Sequence, residues 1–491
     1  MPSENIKYLL YPGSVAVAGA STSPDKFGYR VLFNIINNGY RGRVYPVNPR
    51  ESSVLGQVCF PSISEIPGQV DLAVVTVPTA GVKQVLQDCI QKGVKAVIVI
   101  TSGFSEVGGQ GTALESEIAG LARRAGLAMA GPNCVGLVST PAQLYSHMMP
   151  FYPSAGTIAI VAQSGSVADM IASRIKDQGL GVSHLISTGN EAVLHIGDYL
   201  DYLADDEHVS VVAAYIEGIR DGRRFLQAAR KVTSRKPLVI LKSGGTAAGA
   251  RAALSHTAAL AGDDRIISSL IRQSGALRVD DLEALVDAAS AFNGQPLPRG
   301  NRVGIIAPGG GFGVMAADAC ARQGLDVAPL DRKTLDKLDS MLPPTWSHGN
   351  PVDTVAGVRG GAIEMIQALL DSPAIDGLIV LSVVGGLQSI WKYIEVDGGR
   401  IITGGLTQGA VDYFDTYYRR IMELKERSGK PVVVTFSLPL EAKAITQEAA
   451  RLTRETGTAC YTSFAQAVRA YSALSDYASY LRKTSAGRRA I

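Results

Sequence analysis

Short apolar runs at residues 14–19, 44–48, 72–77, 96–100 and 127–130 each end at a polar or glycine-bearing turn, with amphipathic stretches between them. A continuous apolar run of that length predicts a strand buried on both faces, and the stripe Val31, Leu32, Ile35 and Ile36 before Gly39 predicts a helix and its stop. Further helices are predicted near 80–92 and 112–125. Regular alternation of strand and helix implies a doubly wound parallel sheet. The pattern then restarts with a strand at 157–161, a turn over Gln163, Ser164, Gly165 and Ser166, a helix at 167–177 closed by Gly179, a strand at 209–216 and a helix at 221–232. The stretch 295–300, rich in proline and glycine, reads as a linker. Beyond it come a strand at 302–307, a glycine-rich turn at 308–313, strands at 377–383 and 431–436, and a terminal helix at 464–482. The expected architecture is α/β in three consecutive domains, at 1–140, 153–293 and 300–491, the first of them Rossmann-like.

Composition narrows the classes of function. Of 491 residues, 46% are hydrophobic and 19% charged, with 53 glycines, which suits tight strand-to-helix turns rather than disorder. The net charge of +3 carries no nucleic-acid footprint, and the basic pairs at 482–483 and 488–489 read as a solvated tail. Cysteines 59, 89, 134, 320 and 460 form no Cys-x-x-Cys pair, so no disulfide framework and no metal site is expected. No apolar run reaches the roughly 18–20 residues that span a bilayer, so the expectation is a soluble, cytoplasmic protein with no membrane contact.

Chemistry concentrates at the turns. The first carries Gly19, Ala20 and Ser21 with Gly28 well inside the next segment, which is not Gly-x-Gly-x-x-Gly, and the second strand ends in Val47, Asn48, Pro49 and Arg50 where NAD binding needs an acid. A nicotinamide-dependent oxidoreductase is thereby disfavoured. Coenzyme A fits better: its pyrophosphate can sit on the helix start after Ser21, and Lys26 or Arg50 suits its 3′-phosphate. In the second unit, Ser164 and Ser166 at a helix start make an anion site, and the strand at 209–216 delivers Glu217 to the edge where parallel sheets hold their ligands. His256 stands alone among small residues between Lys242 and Gly262. Glu217 could accept its Nδ1 proton and leave Nε2 as nucleophile. Cys134 has neutral neighbours and reads as structural.

Several ordered motifs carry a family resemblance: Gly-Ala-Ser at 19–21, Val-Asn-Pro at 47–49, Ser-Gly-Phe at 102–104, Gly-Pro-Asn-Cys at 131–134, Tyr-Ile-Glu-Gly at 215–218, Ser-His-Thr at 255–257 and Asn-Pro-Val-Asp at 350–353. Together they resemble the nucleoside-diphosphate-forming acyl-CoA synthetases, relatives of succinyl-CoA synthetase. The resemblance implies two flavodoxin-like CoA-ligase domains after the Rossmann-like one, with His256 as the phosphohistidine and Glu217 as its orienting carboxylate. It also implies a coenzyme A cradle of Gly19, Ala20, Ser21, Lys26, Val47, Asn48, Pro49, Val77, Pro78, Ser102, Gly103 and Phe104. Asn133, Gln163, Ser164, Gly165 and Ser166 would form the phosphate and acyl site. The chain departs from the family pattern at Ala258, Gly245 and Ala247, and residues 391–418 have no counterpart in it.

The implied reaction converts a small carboxylic acid, coenzyme A and ATP into acyl-CoA, ADP and phosphate, reversibly, through an acyl phosphate. No Gly-x-x-x-x-Gly-Lys-Ser/Thr element occurs. The chain therefore reads as an α subunit, with ATP or ADP and magnesium held by an ATP-grasp β subunit in an α2β2 assembly. A noncatalytic CoA or acyl-CoA sensor is the alternative, favoured by the three departures.

Overall fold

Val15, Ala16, Val17 and Ala18 are almost wholly inaccessible to solvent, as a strand between two helical layers must be. The structure, a computed structural model, describes residues 2–246, 248–249, 251, 263–354, 362–381, 395–397, 400–402, 404–436 and 442–489. Strands β1 (Ser14–Ala18), β2 (Arg43–Val47), β3 (Leu72–Val75), β4 (Ala96–Val99) and β5 (Ala128–Ala130) form a parallel sheet in the order β2-β1-β3-β4-β5. Helices α1 (Phe27–Asn37), α2 (Thr79–Lys92) and α3 (Gly109–Arg124) are its crossovers. The predicted strands all appear.

A hairpin of β6 (Gly136–Ser139) and β7 (Leu144–His147) comes next, which strand–helix alternation did not predict. It extends a second sheet built from β8 (Ala155–Ala162), β9 (Val182–Ser187), β10 (Val211–Ile216), β11 (Leu238–Lys242) and β12 (Leu277–Val279). The strand order is β12-β11-β10-β8-β9-β6-β7, and β6 meets β9 antiparallel, so this sheet is mixed. Helices α4 (Gly165–Asp177), α5 (Ile196–Leu203) and α6 (Gly222–Thr233) belong to it. Its five parallel strands repeat the order of the first sheet. In both, the chain reverses its direction of winding between the first strand and its later neighbour, which opens a crevice at the carboxyl edge.

The first two sheets lie in one compact unit, Met1–Lys176 with Gly181–Leu282. Backbone hydrogen bonds explain that. After β9, residues 188–194 run along β5: Gly131 N–H donates to Thr188 O at 3.2 Å, Asn190 N–H to Pro132 O at 2.9 Å, Ala192 N–H to Gly131 O at 3.2 Å and Leu194 N–H to Met129 O at 3.3 Å. The first sheet's edge is thus covered by a segment of the second. One apolar core runs from Val17 and Ile98 through Leu137 to Ile186 and Val212.

The other unit comprises Asp177–Leu180 and Glu283–Ile491. Its parallel sheet of β13 (Val303–Ala307), β14 (Val352–Asp353), β15 (Gly377–Val380), β16 (Val432–Thr435) and β17 (Cys460–Tyr461) has the order β14-β13-β15-β16-β17, the same winding a third time. Helix α7 (Leu282–Gly294) packs into this unit: Arg469 donates to the buried Asp287 at 2.6 Å, and the Tyr461 hydroxyl to the Asp287 carbonyl at 3.0 Å. The division between compact units therefore falls at the start of α7, whereas the linker at 295–300 follows the helix. Among the described residues no helix is long and apolar enough to cross a membrane, and no cluster of three potential metal ligands occurs.

Candidate functional site

The first crevice opens between the carboxyl ends of β1 and β3. Gly19 has φ +91°, and a Cβ there would lie 2.8 Å from the Thr76 hydroxyl and 3.0 Å from the Val77 nitrogen. A Cβ on Gly28 would run into the Gly19 carbonyl, so only glycine at both positions lets α1 seat its first turn against the strand end. Ser21 caps the turn by accepting from Ser23 N–H at 3.1 Å. Lys26 and Arg50 are exposed at its rim, and Pro78 is the residue before α2. Ser102 is exposed beside them, held through a hydrogen bond of 2.8 Å from the Thr79 hydroxyl to its carbonyl. Turn, cations and loop thus share one sheet edge, as a nucleotide-like ligand with a pyrophosphate requires.

Three expected ligand contacts have other work. The Asn48 side chain donates to Ala20 O at 2.7 Å and accepts from Arg50 N–H at 2.9 Å, bracing the turn from behind. Phe104 is buried in the core of the first sheet. The N–H groups of Gly103 and Phe104 go to the Glu106 carboxylate at 2.6 and 3.2 Å. Ala20 and Val47 are likewise buried, and the Val47 carbonyl accepts from Gly19 N–H at 3.0 Å and Ala20 N–H at 3.2 Å.

The second crevice lies between β8 and β10. Ser164 and Ser166 stand at the start of α4 with their hydroxyls 3.2 Å apart, and Gly165 opens the helix between them. Across the crevice, Glu217 follows β10 and accepts from the Tyr215 hydroxyl at 3.4 Å. Gln163 joins the two sides. Its Oε1 accepts from Glu217 N–H at 2.5 Å and Gly218 N–H at 3.0 Å, while Nε2 donates to Gly218 O at 2.9 Å. Oε1 and one amide proton of Gln163 thus clamp the Glu217 turn.

Asn133 comes to this crevice from the loop after β5. Its backbone, at φ +57°, is held by N–H donation to Thr101 O at 3.0 Å, and its amide donates to Asn190 Oδ1 at 3.2 Å. Asn190 in turn donates to Glu106 at 2.6 Å, Glu115 at 2.8 Å and Ser105 at 3.2 Å. Burial pulls Glu106 upward, but these donors and the Gly103 N–H hold it below the usual carboxylate range. Burial pushes the Cys134 thiol up to about 12, which makes it inert, as its sequence setting suggested. Lys242, at the end of β11, is held below the usual lysine range by burial against the upward pull of Asp264 and Glu217. His256, Ala247 and Ala258 lie outside the described residues. Asn190, Glu191, Glu106 and Glu115 were not anticipated. The signal available was Gly189-Asn190-Glu191, a polar turn directly after an apolar run.

Residues 13–140 match a model of a CoA binding domain, and residues 155–292 match that of a succinyl-CoA ligase like flavodoxin domain. The chain is 39% identical over 450 residues to the acetate–CoA ligase [ADP-forming] II subunit alpha of Pyrococcus furiosus, covering 89% of this chain and 96% of that one. It belongs to the ADP-forming acid–CoA ligases. Against the acetate–CoA ligase [ADP-forming] of Methanocaldococcus jannaschii the identity is 39%, but the match spans only 49% of that relative and 71% of this chain. The match thus runs nearly the full length of an alpha subunit, whereas it spans about half the length of the longer relative. A solved structure of the dinucleotide forming acetyl-coenzyme A synthetase 1 of Ca. Korarchaeum cryptofilum, in complex with phosphate and ADP, superposes with a TM-score of 0.83 at 32% identity, over 98% of each chain. The matched regions thus contain the first sheet in the CoA binding domain and the strands β8–β12 of the second in the succinyl-CoA ligase like domain.

Proposed function

We propose that this chain is the alpha subunit of an ADP-forming acid–CoA ligase that works through a phosphohistidine at His256. The observation that carries the reading is Glu217 at the winding-reversal crevice of the ligase sheet, beside a serine-flanked helix start and in the same compact unit as the CoA-binding turn. In the direction from thioester, a phosphate oxygen attacks the acyl-CoA carbonyl, the C–S bond breaks, and the proton carried by phosphate leaves with the coenzyme A thiol. In this reading Asn133 polarises that carbonyl, and the α4 N-terminus with Ser164 and Ser166 holds the phosphate. His256 Nε2 then attacks phosphorus and the P–O bond to the acyl group breaks, releasing a carboxylate. Glu217 accepts the Nδ1 proton as a hydrogen bond and balances the positive ring. ATP or ADP and magnesium belong to a partner β subunit of ATP-grasp type in an α2β2 assembly, and small acids such as acetate are the first candidates.

The thioester half needs no nucleotide, so the isolated chain should carry it out. Radiolabelled phosphate with acetyl-CoA should put an acid-labile, alkali-stable label on His256, located by mass spectrometry. Replacing His256 by Ala should abolish it, and Glu217→Gln should slow it by roughly 30- to 1,000-fold. A label that survives His256→Ala rules the mechanism out; no label from any acyl-CoA favours a noncatalytic CoA sensor.

A further inference from the structure

Asn190 occupies the turn of the segment that covers the first sheet, and each of its polar groups is engaged. Its backbone N–H donates to Pro132 O at 2.9 Å and its carbonyl accepts from the Arg220 guanidinium at 2.8 Å, which holds the main chain from both sides. In the side chain, Nδ2 donates to the Glu106 carboxylate at 2.6 Å and the Glu115 carboxylate at 2.8 Å, while Oδ1 accepts from Asn133 Nδ2 at 3.2 Å. Glu115 is buried on α3 and also accepts from the Ser105 N–H at 3.2 Å and the Ser105 hydroxyl at 2.7 Å. Glu106 turns its other oxygen to the N–H groups of Gly103 and Phe104. The loop after β4 thus pins both carboxylates where they meet Asn190.

A carboxamide has nearly the same shape in its two orientations, so the groups on either side decide which is adopted. Burial pulls Glu106 upward, but Asn190 and the backbone donors outweigh it, so this carboxylate accepts and does not donate. Turned over, Asn190 would set its oxygen against the carboxylates and its NH2 against the NH2 of Asn133, leaving donors and acceptors unsatisfied on both sides. Asn133 therefore offers one Nδ2 proton to Asn190, and its backbone hangs from the same loop by N–H donation to Thr101 O at 3.0 Å. Resting on the reading of Asn133 as the group that polarises the acyl carbonyl, we propose that Asn190 is a positioning residue: anchored on Glu106 and Glu115, it sets the orientation of the Asn133 amide and leaves the second Nδ2 proton for the substrate. It acts through Asn133 and not on the thioester.

Asn190→Ala and Glu106→Gln in the full chain test this from its two ends. The glutamine keeps an oxygen for Gly103 and Phe104 but turns an NH2 toward Asn190, which opposes the orientation that Asn133 needs. In protein carrying isotopically labelled asparagine, the carboxamide resonances of Asn133, assigned by their loss in Asn133→Ala, should shift in both variants. Single-turnover phosphate labelling of His256 at saturating acetyl-CoA should slow by about tenfold in each, while the half-saturating acetyl-CoA concentration stays within about twofold, a split that a loss of folded protein would not produce. In an Asn133→Ala background, Asn190→Ala should add no further slowing, because both changes remove one interaction. Unmoved Asn133 resonances, or additive slowing in the double variant, overturn the proposal. Shifted resonances combined with labelling indifferent to Asn133→Ala support the positioning and instead overturn the role given to Asn133; where no label forms, the resonances alone decide.

Discussion

At the scale of single residues, the buried Glu191 ties the stability of the fold to pH. Its carboxyl ordinarily titrates near 4.5, and in the folded chain burial moves that to about 7. Between those values the folded chain keeps a proton that the unfolded chain gives up, so this group's contribution to stability falls as pH rises through the window and levels off above it. Glu191→Gln has no such titration. Its urea midpoint relative to the parent should therefore be more favourable at about pH 8 than at about pH 5, and an offset that does not vary with pH would show that Glu191 titrates normally. Nothing in the local sequence discloses this behaviour. Glu217 was legible because it ends an apolar strand next to Gly218, whereas Glu191 owes its raised titration to burial, which only the tertiary fold supplies. Gln163 was legible as a turn residue, but its partners were not.

At the scale of elements, the strand–turn–helix units are where apolar runs and glycines told most. The runs at 72–77 and 96–100 correspond to Leu72–Val75 and Ala96–Val99, and the helix near 80–92 to Thr79–Lys92. The hairpin Gly136–Ser139 with Leu144–His147 was hidden, since its strands are short and their burial comes from contact with the second sheet rather than from an apolar run of their own. Gly28 carries a consequence that can be measured. Adding a methyl group there pushes α1 off the Gly19 turn, so Gly28→Ala should cost about 1–3 kcal/mol of stability, as overpacking commonly does. Coenzyme A affinity, read by calorimetric titration, should fall with it because the helix start and the turn are displaced together. Parent-like affinity and melting temperature would mean that the contact relaxes without moving the turn.

At the scale of the whole molecule, the three-fold repetition of one strand order was foreshadowed by the restarting pattern, but the compact units were not. Sequence punctuation suggested separations near 150 and at 295–300, while the first two sheets form one unit and α7 joins the next. The reason is the segment 188–194, whose backbone continues the first sheet beyond β5. A fragment ending at residue 150 leaves that edge open, and exposed edges pair with other chains. It should aggregate or melt well below a fragment ending at 282, as light scattering and thermal unfolding would reveal; equal behaviour of the two would make the covering segment incidental.

That segment also bears on how such proteins can be recombined. A chimera that imports only the first 140 residues of a relative would receive a sheet whose last strand was shaped for a different covering peptide, and with it a different partner for Asn133 and Glu106. The portable module is the stretch through residue 282, or the shorter one together with its own copy of 188–194. Swaps of acid or thiol preference between relatives are best cut there.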